Sequence, residues 1–192
     1  VLGVMAPNLP EYAVLFHGVA MAGGTITTIN PTYTAPEVHH QLTDAGAALL
    51  VTIPMFLEVA TEGARGTGVD AIFVLGEATG GAASVLDLIG EPLAEPVPVD
   101  PLDDVVVLPY SSGTTGLSKG VMLTHHNLVA NIAQVLGATS LDSDDVVMAV
   151  LPFFHIYGMQ VLMNTALRAG ATITTMPRFD LPSLIDELTL EE

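Results

Sequence analysis

Cysteine is absent from all 192 residues, which excludes disulfides, thiolate metal sites and a cysteine nucleophile and fits an intracellular, cytoplasmic protein. Basic residues are scarce: four Lys and Arg stand against 21 Asp and Glu, a formal net charge of -17. Such a surplus repels nucleic-acid backbones and anionic membranes, so no nucleic-acid partner is expected. Charge of either sign makes up only 13% of the chain and mean hydropathy is +0.57, whereas an independent soluble domain carries roughly 25% charged residues. That balance reads as a core short of its surface. The chain begins without Met inside an apolar run and ends just after a helical pattern has started, so a piece of a larger domain is expected. No charged n-region precedes an apolar segment, and Pro, His or Gly interrupts every long apolar stretch before it reaches a bilayer span, so no membrane insertion is expected. Oligomeric state leaves no mark.

What is present is an alternation. Apolar, β-branched runs at residues 1–6, 25–29, 48–53, 71–75, 105–109, 146–151 and 171–176 read as strands. Segments of helical period fall between them at 10–22, 35–44, 55–63, 125–137, 159–168 and 181–188. This pattern predicts an α/β fold, with β-sheet flanked by helices. "TAPE" at Thr34 to Glu37 has the form of a capping box, and Thr124 is placed to cap the helix at 125. Residues 90–104, "GEPLAEPVPVDPLDD", hold four prolines and five acids and are incompatible with regular structure. They split the chain into a first α/β subdomain at 1–89, a connector at 90–104 and a second subdomain at 105–192.

The second part contains "SSGTTGLSKG", residues 111–120, which carries the chain's one lysine, Lys119. Gly113, Gly116 and Gly120 allow unusual backbone angles and close approach of a ligand. Successive amides in such a loop converge on anions. Ser111, Ser112, Thr114 and Thr115 add hydroxyl donors and Lys119 adds a mobile charge. Residues 105–179 hold only three acids, Asp142, Asp144 and Asp145, where about eight would match the chain's average density. Either buried strands simply carry no charge, or a site must receive an anion. The loop is not a Walker A motif: counted from Gly113, the sixth position is Ser118, and Gly120 rather than a hydroxyl residue follows the lysine.

"YSSGTTGLSKGVMLTHHNL" resembles the phosphate-loop signature of the AMP-forming acyl-CoA synthetases, the adenylate-forming superfamily, and most resembles the 4-coumarate-CoA ligase branch. Family members usually have Pro at position 118 and Arg or Lys at position 126, where this chain has Ser118 and His126. The first difference should loosen the loop; the second removes a fixed charge. "GVMAPNLPEYAVLFHGVAMAGGTITTINPTYTAPEVHHQLTDAGAALLVT" and "LPFFHIYGM" extend the likeness over nearly the whole chain. It implies part of the large N-terminal domain of an enzyme that uses ATP, Mg2+ and coenzyme A to activate a carboxylic acid. Ser111, Ser112, Gly113, Thr114, Thr115, Gly116 and Lys119 would hold the ATP phosphates, with Lys119 also catalytic. His155 would be catalytic and, with Tyr157, would line the acyl pocket. Arg178 would meet coenzyme A. The family's adenine, ribose and magnesium motifs and its second catalytic lysine have no counterpart in these residues.

By its residues alone His155 is either a packed core histidine or a ligand-facing group at a strand's C-terminal end, and Tyr157 either fills core or lines a pocket. With no nucleophile beside it, His155 cannot form a triad. The pairs His39/His40 and His125/His126 lack the i, i+4 spacing of helical metal ligands and read as surface or capping residues. His17 is expected to be partly buried, and Asp142, Asp144 and Asp145 to form a solvated turn, lacking a calcium loop's glycine and terminal glutamate. No side-chain metal site is expected. A noncatalytic nucleotide- or acyl-binding module is the alternative function.

Overall fold

A computed structural model describes residues 1–95, 97–111, 118–176 and 180–189. In chain order the first half contains β1 (Leu2–Met5), α1 (Pro10–Met21), β2 (Ile26–Thr28), α2 (Ala35–Asp44), β3 (Leu49–Thr52), α3 (Leu57–Ala64), β4 (Ala71–Val74) and β5 (Ala83–Ser84). After the connector come β6 (Val105–Ser111), β7 (Lys119–Gly120), β8 (Leu123–Thr124), α4 (His125–Ala138) and β9 (Val146–Ala149). A π-helical stretch, Gly158–Asn164, then runs into α5 (Thr165–Ala169), followed by β10 (Thr172–Thr175) and α6 (Leu181–Thr189).

The main sheet has the order β5-β4-β3-β1-β2-β6-β7, with β8 also paired to β6. Strands β1 to β6 pair in parallel, whereas β7 and β8 run antiparallel to β6. β9 and β10 form a separate parallel pair. β6, from beyond the connector, thus joins the sheet of the first half through Ile26–Val107 and Thr28–Pro109.

All four residues of β1 are buried, as a parallel strand covered on both faces requires. Successive side chains part to opposite faces. Leu2 and Val4 join Tyr12, Phe16, Val106, Leu128, Phe153, Met159 and Met163, the layer of α1, α4 and the π-helical stretch. Met5 turns the other way and packs with Ile29, Val38, Leu42, Leu50 and Ala60, the layer of α2 and α3. The expected sheet flanked by helices is therefore present, with a core on each side.

All seven expected strands and five of the six expected helices occur; where one helix was expected at 159–168, a π-helical stretch runs into the short α5. Helix α2 starts where the letters placed it, with Thr34 N and Oγ1 both donating to Glu37 Oε2 at 2.7 Å. Helix α4 is capped reciprocally: Thr124 N donates to Asn127 Oδ1 at 3.0 Å and Asn127 N to Thr124 Oγ1 at 3.3 Å. β7 and β8 lie between the glycine loop and the helix at 125, where the sequence also reads as a short strand or turn; β5 was not expected, two residues being too few to display an alternation. The connector has no helix or strand among its described residues. It is docked all the same, with Val97 N donating to Met21 O at 3.2 Å and His126 N to Pro101 O at 2.8 Å. No helix among the described residues is long and apolar enough to cross a membrane.

Candidate functional site

Strand β6 leaves the sheet's C-terminal edge, and β7 returns antiparallel to it with Tyr110 opposite Gly120 and Ser111 opposite Lys119. Ser111 and Lys119 are both exposed. The glycine-rich segment is therefore tied off at its neck, with the lysine at the returning side. Ser112, Gly113, Thr114, Thr115 and Gly116 lie outside the described residues, as does Arg178. Gly120 does not need a positive φ. Its bare Cα admits the Tyr110 ring, since a Cβ there would lie 3.0 Å from Tyr110 Cε2 and would crowd it. The unusual backbone angle that the sequence allowed at Gly120 is therefore not used; the missing Cβ makes room for Tyr110 instead.

The stem is gripped from α2. His40 Nε2 lies 3.0 Å from Ser118 O, so this nitrogen carries the proton and donates it. One turn on, Asp44 Oδ2 accepts from the Tyr110 hydroxyl at 2.5 Å. Burial, then this hydrogen bond and the Asp44 charge, push the Tyr110 phenol pKa upward. His40 is thus neither a cap nor a free surface residue, correcting the reading from the letters.

The second part of the site is the run from Leu151 to Tyr157. A turn, His155 N to Pro152 O at 3.1 Å, carries the chain from β9 into the next helix. His155 is exposed, so it is not a packed core histidine, and Tyr157 is 51% exposed rather than core filler. Tyr157 N donates to His155 Nδ1 at 3.2 Å. Neutral His155 accordingly holds its proton on Nε2. Gly158 permits the turn: a Cβ there would lie 2.7 Å from Pro152 C and 2.8 Å from Leu151 O.

Two buried polar residues from the first half fix this run. Asn8 Nδ2 donates to Ala149 O at 2.8 Å and Leu151 O at 2.9 Å, and its Oδ1 accepts from Phe153 N at 2.7 Å. Thr28 Oγ1 donates to Phe154 O at 2.8 Å. Thr28 also stands beside Pro109 in the sheet. The neck pair Ser111 and Lys119 and the pair His155 and Tyr157 are therefore linked through Thr28 at the C-terminal edge of β2 and β6. Open α/β sheets bind ligands at that edge.

The other histidines and the acid cluster take no part. His39 Nδ1 sits 3.1 Å from Gly63 O. His17 is exposed by area, against the expected partial burial, although packing on Phe16 (ring centroids 5.2 Å apart) still desolvates it enough to lower its pKa. Asp142 and Asp145 close an exposed turn, Asp142 N donating to Asp145 Oδ2 at 2.8 Å. No group of three or more His, Asp or Glu among the described residues could hold a metal ion.

The model of the family described as "AMP-binding enzyme" matches residues 1–191. The chain belongs to the AMP-binding enzyme family. Among curated relatives of this AMP-binding chain is 4-coumarate--CoA ligase 3 of Oryza sativa subsp. japonica, 44% identical over 183 residues, which are 93% of this chain and 33% of the relative. The 4-coumarate--CoA ligase of Pinus taeda is 39% identical, covering 97% of this chain and 35% of its own length. The chain thus spans about a third of these relatives. Among solved structures, a long-chain-fatty-acid-CoA ligase from Archaeoglobus fulgidus superposes with a TM-score of 0.89 at 32% identity, over 99% of this chain and 37% of that one. ATP-bound MatB from Rhodopseudomonas palustris gives 0.84 at 29%, over 98% of this chain and 37% of that one.

Four side chains of the AMP-binding fold were missed in the sequence: Asn8, Thr28, His40 and Asp44. Asn8 stood in the "APN" after an apolar strand, where a polar residue at a strand end was the only signal. His40 and Asp44 share the α2 face turned to the loop stem, a pairing that only the fold reveals.

Proposed function

We propose that this chain supplies the phosphate loop and part of the acyl pocket of an AMP-forming acyl-CoA ligase. The reading rests above all on the Ser111–Lys119 pairing, which closes the glycine loop with the chain's sole lysine at its neck. The names of the relatives, CoA ligases of 4-coumarate and of long-chain fatty acids, support the reaction class, and the ATP-bound neighbour supports ATP as its nucleotide.

In this reaction a carboxylate oxygen attacks the α-phosphorus of ATP, the bond from that phosphorus to the bridging oxygen breaks, and pyrophosphate leaves. The thiol of coenzyme A then attacks the acyl carbonyl of the adenylate, giving a thioester and AMP while the thiol proton passes to solvent. The first step concentrates negative charge on the departing phosphates. Lys119, with the donors of Ser111, Ser112, Gly113, Thr114, Thr115 and Gly116, is assigned to them. A unit charge pair at about 4 Å near a protein surface contributes up to ~4 kcal/mol before desolvation, enough to outweigh the diffuse, salt-screened repulsion of the chain's distant carboxylates.

His155 is assigned to orient the acid, using the Nε2 proton left to it by the Tyr157 hydrogen bond. Tyr157 is assigned to the wall of the same pocket, and Arg178 to a phosphate of coenzyme A. The described residues do not present a side-chain site for Mg2+, and no step here is routed through it.

Pyrophosphate exchange into ATP on the complete gene product, across a panel of aromatic and medium-chain carboxylic acids, tests the reading. Exchange should depend on an added acid, because simple hydrolysis returns no pyrophosphate to ATP. Lys119→Ala should lower it by about a hundredfold, the scale of losing one charge-stabilising donor. Acid-independent ATP turnover, or exchange indifferent to Lys119→Ala, would overturn it.

A further inference from the structure

The loop stem projects past the sheet: β7 is only two residues long, and it pairs with Tyr110 and Ser111, the two residues of β6 beyond the β2 pairing that ends at Pro109. Both ends of the stem are nevertheless tied to one face of α2, itself locked to the core by buried Val38, Gln41 and Leu42. His40 and Asp44 are four residues apart, so they project from the same side. His40 Nε2 holds Ser118 O at 3.0 Å and Asp44 Oδ2 holds the Tyr110 hydroxyl at 2.5 Å. The His40 and Tyr110 rings meet edge to face, with centroids 6.5 Å apart and planes at 90°. Tyr110 in turn lies against the Cα of Gly120.

Lys119 therefore sits between two fixed neighbours, the carbonyl of Ser118 and the bare Cα of Gly120. From this closed circuit we infer that His40 and Asp44 are positioning residues for Lys119: α2 is a clamp that sets where the lysine's backbone starts and hence where its ammonium can meet a nucleotide phosphate. The inference rests on the phosphate-loop reading given above. A flexible four-carbon stem loses entropy when its charge is localised. Anchoring its base removes part of the search, and preorganisation of this kind raises affinity without adding a contact to the ligand.

The test is steady-state pyrophosphate exchange on the complete gene product, varying MgATP and the carboxylic acid separately. His40→Ala and Tyr110→Phe should each raise the KM for ATP roughly three- to tenfold, the scale of one net hydrogen bond, and leave the KM for the acid unchanged. His40→Gln, whose Nε2 amide donates from a similar reach, should recover most of the loss. In the double variant the effects should multiply to less than their product, since both act on one stem. Thermal unfolding accompanies each variant, and Tyr110→Phe, which removes one oxygen atom, serves even where His40→Ala does not fold. Equal rises in both KM values, or no recovery with His40→Gln, would overturn the clamp. Unchanged ATP kinetics in His40→Ala and Tyr110→Phe beside a damaged Lys119→Ala would sink the clamp and leave the loop reading standing. Unchanged kinetics in Lys119→Ala would remove both.

Discussion

Asn8 and Phe153, 145 positions apart in the chain, are joined by a buried hydrogen bond in which the Phe153 amide donates to Asn8 Oδ1 at 2.7 Å. The other end of the same carboxamide donates to Ala149 O and Leu151 O. Donor and acceptor ends are thus both used, each on backbone of the run that carries His155.

Asn8→Ala should destabilise the fold by about 3 kcal/mol, because it strands buried backbone groups that water cannot reach. Asn8→Asp should be at least as harmful at neutral pH despite its matching shape, since it sets a carboxylate oxygen against two carbonyl oxygens. Its deficit should shrink on acidification, as the protonated acid regains a donor. Denaturant unfolding at two pH values checks both; a neutral Asn8→Asp would contradict the assignment.

Gly158→Ala opposes two terms of different size. Alanine gains up to ~1 kcal/mol of helix propensity over glycine. Its Cβ, however, would lie 2.7 Å from Pro152 C and 2.8 Å from Leu151 O, and backbone atoms cannot rotate aside. Overpacking of about 1–3 kcal/mol should win, lowering the melting temperature and shifting the turn before His155. A rise in melting temperature would show the turn to be compliant.

Tyr12 is 1% exposed, stacks edge-on against Phe153 with centroids 5.9 Å apart, and has a hydroxyl with no hydrogen-bond partner among the described residues. Burial pushes its phenol pKa upward. Tyr12→Phe should therefore leave stability unchanged or raise it by up to about 1 kcal/mol, measured by denaturant unfolding. A loss of that size would reveal a partner for the hydroxyl.

The Thr34 side chain and then its amide, both donating to Glu37, hold the Glu37 carboxyl pKa below its ordinary value. A depressed folded-state pKa contributes stability above the unfolded value and loses it as pH falls through the folded one. The melting-temperature gap between the protein and Glu37→Gln should be present at neutral pH and close in acid. A gap constant with pH would disprove the linkage.

Local signals carried the reading of the fold far. Helix α2 was legible to its end residues because Thr34, Pro36 and Glu37 announce a start within four letters. Residues 159–168 were read as one plain helix, yet a π-helical turn occupies Gly158–Asn164. Buried Gln160 there donates to Leu128 O at 2.6 Å, a tertiary contact no local pattern announces, and Thr165 Oγ1 donates five residues back to Gln160 O at 2.8 Å. The candidate site divides the same way. The glycine loop and its lysine are contiguous and could be read. Asn8, Thr28 and His40 reach their targets across 145, 126 and 78 positions, and no local period encodes such distances.

Those separations also impose an order on synthesis. While the ribosome is still extending the chain, the Asn8 carboxamide and Thr28 hydroxyl face water, and they stay unmatched until Phe153 and Phe154 emerge. At about 5–20 residues per second that delay is on the order of ten seconds. Tyr110 and Ser118 arrive earlier, when α2 is already available to receive them. A nascent chain therefore has the partners that fix Ser118 and Tyr110 in hand before those that fix the run leading to His155.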